Sequence, residues 1–122
     1  MSVKLKILVV DDEPQVCEAV KMLLEFNGHE VMTAGNGDEA LALFDEGRFD
    51  LVITDYTMPG MKGDELALAL KARLPGQPVI MLTAHAEMLK TVAVPLTGVD
   101  QLVSKPFRFA DLQNAIAKAT AR

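Results

Sequence analysis

A chain of 122 residues, half of them hydrophobic, is the size of one domain built round one core. A formal charge of -5 and an isoelectric point near 4.9 oppose binding to a phosphate backbone, so direct contact with nucleic acid is not expected. No apolar run approaches the roughly 20 residues of a membrane span. The N-terminus lacks a secretion-signal pattern, and a single cysteine excludes an internal disulfide, so a cytoplasmic setting with no membrane partner is expected.

In chain order, Lys6 to Val10 is a first run of strand length, ending in Asp11-Asp12. Val16, Val20 and Leu23 then recur at helical spacing; Pro14 suits the first turn, Gly28 the C-cap, and Cys17 reads as a buried or half-buried packing residue. A second run, Glu30 to Ala34, precedes a helix marked by Ala40 and Phe44, with Gly47 as its expected C-cap. The third run, Leu51 to Thr54, meets Asp55, and Leu66, Leu70 and Leu74 mark a helix that Pro75 stops. Val79 to Thr83 and Gln101 to Ser104 are the last two runs; Lys105 follows the latter, then a helix carrying Phe109, Leu112 and Ile116. No repeat, low-complexity tract or linker interrupts the pattern, so residues 1–122 are expected to form a single domain with no effector domain.

Strict alternation of five strand-like runs with helices predicts an α/β fold, a doubly wound parallel sheet with helices on both faces, because parallel neighbours need a crossover. The near-continuous apolar runs LVV, LVI and VIML fit strands covered on both sides. In such sheets function gathers beyond the carboxyl ends of the strands. Four of the five runs end there on Asp11-Asp12, Asp55, Thr83 and Lys105. Singly, each is equally at home as a cap, a turn residue or a solvated lysine. Together they are costly, since two carboxylates about 5 Å apart at an effective dielectric of about 20 repel by roughly 3 kcal/mol. A cation relieves that cost. Magnesium suits an all-oxygen site completed by a phosphate, whereas the chain has neither a calcium loop nor zinc-ligand spacing.

The segments ILVVDDE, VITDYTMPGMKG, IMLTA and VSKPF, in this order, resemble the receiver domain of two-component response regulators, of the single-domain chemotaxis-regulator type. The resemblance spans essentially the whole chain. It implies a (βα)5 flavodoxin-like fold with strand order 2-1-3-4-5. It also implies Mg2+-dependent phosphoryl transfer from the phosphohistidine of a sensor histidine kinase or phosphotransfer protein to Asp55. Asp12, Asp55 and the backbone carbonyl of Thr57 are the implied metal ligands, with Asp11 acting mainly through water and Mn2+ as a substitute ion. Lys105 pairs with Asp55 before transfer and with the phosphoryl group afterwards. Thr83 is the implied switch, acting on the face built by the fourth and fifth βα units toward an output protein or attached domain.

Further expectations follow from the same resemblance. A cis peptide joins Lys105 and Pro106, Met58-Pro59 and Gly63 shape the loop after the acceptor, and Thr57 and His85 tune dephosphorylation. Tyr56, the only tyrosine, reads as a loop or packing residue. The chain catalyses only its own phosphorylation and dephosphorylation, as a monomer or a weak phosphorylation-dependent dimer. Two positions depart from the family pattern. Leu102 stands where an aromatic is usual, and Pro95 falls late in the fourth helix, which is therefore expected to end near Val94 or to kink. Two alternatives fit less well. A magnesium-dependent phosphohydrolase wants a D-x-D pair and a cap, and a flavodoxin-like FMN module wants a hydroxyl- and glycine-rich loop where this chain has DDEPQV.

Overall fold

The computed structural model of the protein describes residues 4–84 and 98–121. Its elements are β1 (Lys6–Val10), α1 (Pro14–Phe26), β2 (Glu30–Ala34), α2 (Gly37–Glu46), β3 (Leu51–Asp55), α3 (Gly63–Arg73), β4 (Val79–Thr83), β5 (Gln101–Ser104) and α4 (Phe109–Thr120). The helix expected between β4 and β5, with His85 and Pro95, lies outside the described residues. All strand pairings are parallel, in the order β2-β1-β3-β4-β5. Alternation predicts the parallel pairing, and the strand order is the one the resemblance implies. Among the described residues no helix is long and apolar enough to cross a membrane.

Strand periodicity splits the core into two layers. Ile7, Val9, Leu51 and Ile53 point to one face, under Val20 and Leu24 of α1 and Leu112 and Ile116 of α4. Leu8, Val10 and Val52 point to the other, under Ala40 of α2 and Leu66 and Leu70 of α3. These central strands are buried on both sides, which is why their sequences carry apolar runs and not an apolar-polar alternation.

Local chemistry sets the element ends. Pro14 opens α1, and neither neighbouring aspartate caps it: its N-cap is Glu13, without a side-chain cap bond. The helix closes where Gly28, at φ 91°, donates to Glu25 O and His29 N to Leu24 O, the left-handed stop that glycine favours. Gly47 does occupy the C-cap of α2 but is extended, with φ -156°, a conformation open to any residue. Strand β3 runs one residue beyond the expected Thr54. Asp55 pairs with Leu82, and Tyr56 N donates to Leu82 O at 3.0 Å, so the ladder carries the aspartate itself.

Candidate functional site

The strand order places the ends of β1, β3 and β4 side by side. Asp11 continues the parity of Ile7 and Val9, and Asp55 that of Leu51 and Ile53, so both side chains lie on the α1 and α4 side of the sheet. Asp11 is 2 % exposed and Asp55 7 %, whereas Asp12 is exposed. Carboxylate oxygens of all three lie within 4.8 Å of one another. From the end of β5, Lys105 reaches into the cluster: Nζ stands 2.6 Å from Asp55 Oδ1 and 3.7 Å from Asp11 Oδ2. Its main chain is tied to β4, since Lys105 N donates to Thr83 O at 2.8 Å, and its peptide with Pro106 is cis. Thr83 is buried at the same edge, opposite Ser104.

The electrostatics are those of a site short of positive charge. Burial is the main cause that lifts the Asp11 carboxyl above its ordinary range; the Glu13 N–H, at 2.9 Å from Oδ1, opposes it, Asp55 and Asp12 reinforce it, and Lys105 relieves part of it. The other oxygen of Asp11, Oδ2, is buried without a hydrogen-bond partner. Burial also works against the charge on Lys105, but the hydrogen bond and charge of Asp55, with Asp11 and Glu13, outweigh it and hold the ammonium above its ordinary range. Net negative charge, an unbonded buried carboxylate oxygen and an all-oxygen donor set together fit a hard divalent cation that keeps part of its water.

The loop after β3 packs closely against the site. Gly63 N donates to Tyr56 O at 2.9 Å. A Cβ at Gly63 would collide with the Asp55 carbonyl oxygen and lie 3.0 Å from Tyr56 Cα, so only glycine fits. Met58 is buried, Thr57 and Pro59 are exposed, and Tyr56 is half-buried with Lys62 Nζ 5.9 Å from its ring. Leu102 is half-buried on β5 opposite Met81. Of the residues singled out from sequence, His85, Val94 and Pro95 fall outside the described residues.

Two residues bond to main-chain carbonyls of the site in ways the sequence reading does not anticipate. Cys17 is indeed buried, but its thiol does more than pack: Sγ lies 3.3 Å from Asp11 O and 3.8 Å from Ala34 O. Thr54 is fully buried, and its hydroxyl donates to Asp55 O at 3.0 Å. A hydroxyl in the otherwise apolar run LVIT was the available signal.

The family model for the response regulator receiver domain matches residues 7–117. The chain is 38% identical over 106 residues to the probable transcriptional regulatory protein TcrX of Mycobacterium tuberculosis, covering 87% of this chain and 45% of that protein. It thus spans about half the length of that curated relative. Among solved structures it is similar to the response regulator TrrA of Thermotoga maritima in complex with Mg2+-BeF, with TM-score 0.85, 38% identity, and coverage of 96% of this chain and 99% of that one. TrrA in complex with the histidine kinase ThkA aligns with TM-score 0.86 and 38% identity over 98% of this chain and 100% of that one. With the family model covering nearly the whole sheet, TcrX alike in sequence and TrrA alike in both sequence and fold, the chain belongs to the response regulator receiver domain family.

Proposed function

We propose that this receiver takes a phosphoryl group onto Asp55 from the phosphohistidine of a sensor histidine kinase or phosphotransfer protein, and passes the signal on by a change of shape. The observation that carries the reading is the placement of Lys105 Nζ, 2.6 Å from Asp55 Oδ1 inside a cluster of three carboxylates at the sheet edge. The complex of the similar TrrA with a histidine kinase supports the partner class.

Asp55 Oδ attacks phosphorus while the bond from phosphorus to the donor imidazole nitrogen breaks, and the electron pair leaves with the imidazole. A carboxylate ionised at neutral pH needs no general base, so catalysis rests on alignment and neutralisation of charge. Lys105 begins paired with Asp55 and ends on a phosphoryl oxygen, so its positive charge follows the negative charge across. Asp12, Asp55 and the carbonyl of Thr57 would hold Mg2+, or Mn2+ in its place, with Asp11 acting mainly through water. Such an ion would supply the two positive charges the site lacks. Thr83, at the end of β4, donates its hydroxyl to the new phosphoryl group and draws the following chain inward, a local bond that biases a two-state element. Leu102 takes the place of the usual aromatic in that response, and Thr57 and His85 set the lifetime of the phosphate.

The chemistry is confined to the chain's own aspartate, and turnover of outside substrates is not part of this reading. Residues 1–122 act as one cytoplasmic receiver domain, whose acidic surface reaches its target through a partner or an attached output domain and not through direct contact with nucleic acid. The test is to incubate wild type and Asp55→Ala with acetyl phosphate and MgCl2 and weigh the intact proteins. Wild type is expected to gain the mass of one phosphoryl group and Asp55→Ala none; no gain on wild type, or an equal gain on both, refutes the assignment.

A further inference from the structure

Thr54 immediately precedes the acceptor, in a strand whose other residues before Asp55 are Leu51, Val52 and Ile53. It is fully buried. Valine would fill the same space without burying a hydroxyl, which is costly unless that group finds a partner. Here the partner is the carbonyl oxygen of the acceptor itself: Thr54 Oγ1 donates to Asp55 O at 3.0 Å. By strand parity Thr54 faces the α2 and α3 side with Val52, away from the Asp55 carboxylate, so it reaches the site through the main chain alone.

The same carbonyl is confined from a second direction. A Cβ at Gly63 would overlap Asp55 O, so the backbone of Gly63 lies directly against it. The N–H of the same peptide is also bonded, with Tyr56 N donating to Leu82 O at 3.0 Å, and the carbonyl of the next peptide, Tyr56 O, accepts from Gly63 N at 2.9 Å. The Asp55-Tyr56 peptide is thus over-determined at the point where the ladder ends and the loop carrying Thr57 begins. We infer that Thr54 is a positioning residue for phosphoryl transfer: its hydroxyl fixes that peptide plane, and with it the direction of the Asp55 carboxylate and the start of the Thr57 loop. This rests on Asp55 being the acceptor. In-line attack tolerates little misplacement, and an error of 1 Å costs up to about 100-fold in rate.

Thr54→Val keeps the shape and removes the bond; Thr54→Ser keeps the bond and removes a methyl group. Each full-length variant is phosphorylated with acetyl phosphate in MgCl2, with intact mass followed over time across a range of donor concentrations, and thermal unfolding is recorded in parallel. Thr54→Val is expected to lower the maximal rate by about five- to ten-fold, with the half-saturating donor concentration within about two-fold of wild type. Thr54→Ser is expected to return to within about two-fold of the wild-type rate even where its melting temperature is the lower of the two. A Thr54→Val rate equal to wild type overturns the inference, as does a Thr54→Ser protein as slow as Thr54→Val, which makes the residue a core filler. Wild type that takes up no phosphoryl group overturns the acceptor assignment and this inference together, whereas normal wild type beside normal Thr54→Val overturns this inference alone.

Discussion

Replacing Asp11 by asparagine separates what the site needs for stability from what it needs for metal. The carboxylates of Asp11, Asp12 and Asp55 lie within 4.8 Å of one another, and at that limit and an effective dielectric of about 20 a pair repels by about 3.5 kcal/mol. Lys105, at 3.7 Å, returns about 4.5 kcal/mol of attraction to Asp11 on the same scale. The two repulsions on Asp11 exceed that attraction by about 2.5 kcal/mol, burial adds to the imbalance, and screening at the exposed Asp12 reduces it. Asparagine keeps an oxygen for the Glu13 N–H, removes the charge that repels Asp12 and Asp55, and gives up the attraction of Oδ2 to Lys105. Asp11→Asn is therefore expected to stabilise the metal-free protein by about 2 kcal/mol, a rise of roughly 8 °C in melting temperature. Thermal unfolding of both proteins in EDTA and in millimolar MgCl2 is the assay. Wild type should gain stability with Mg2+ by mass action and the variant should gain much less. A variant no more stable than wild type in EDTA, or an equal Mg2+ gain in both, refutes the view of a strained carboxylate cluster completed by a cation.

Elsewhere the structure makes two further predictions. His29 Nδ1 accepts the Leu5 N–H at 3.1 Å, and burial holds the imidazole below its ordinary range. A histidine pKa lowered by folding leaves its stabilising contribution whole above the unfolded value of about 6.5 and removes it as pH falls through the folded value. Urea midpoints should accordingly fall from pH 7 to pH 5, and a His29→Gln protein with the same slope over that window counts against this. Gly63→Ala should cost about 1–3 kcal/mol, because its Cβ meets backbone at Asp55 and not a flexible side chain. It should also slow phosphorylation of the protein that remains folded, and urea denaturation showing wild-type stability contradicts the close approach.

Much of the fold is legible in the sequence. β1, β2, β4 and β5 fall where the runs were read, since a strand buried on both faces must be written in apolar residues and the segments between must repeat at helical spacing. The limits of that reading are equally specific. Asp55 belongs to β3 because Leu82 pairs with it across the sheet, a partner distant in sequence. Gly47 caps α2 in an extended conformation, as the chain turns toward β3 without a left-handed step. Cys17 reads as packing and Thr54 only as the end of a strand run, because hydrogen bonds to main-chain carbonyls leave no mark in side-chain pattern.

By itself, the sequence determined the alternation of strands and helices, the collection of aspartates, threonine and lysine at strand ends, and the family these residues resemble, because periodicity and residue type are local properties. Only the tertiary structure decided which carboxylate is buried without a hydrogen-bond partner at one oxygen, that Lys105 pairs at 2.6 Å with Asp55 and stands off Asp11, and that the acceptor's carbonyl is held between Thr54 and Gly63. Those outcomes depend on strand order and on distances between residues far apart in the chain, and burial then sets the strength of every charge brought together.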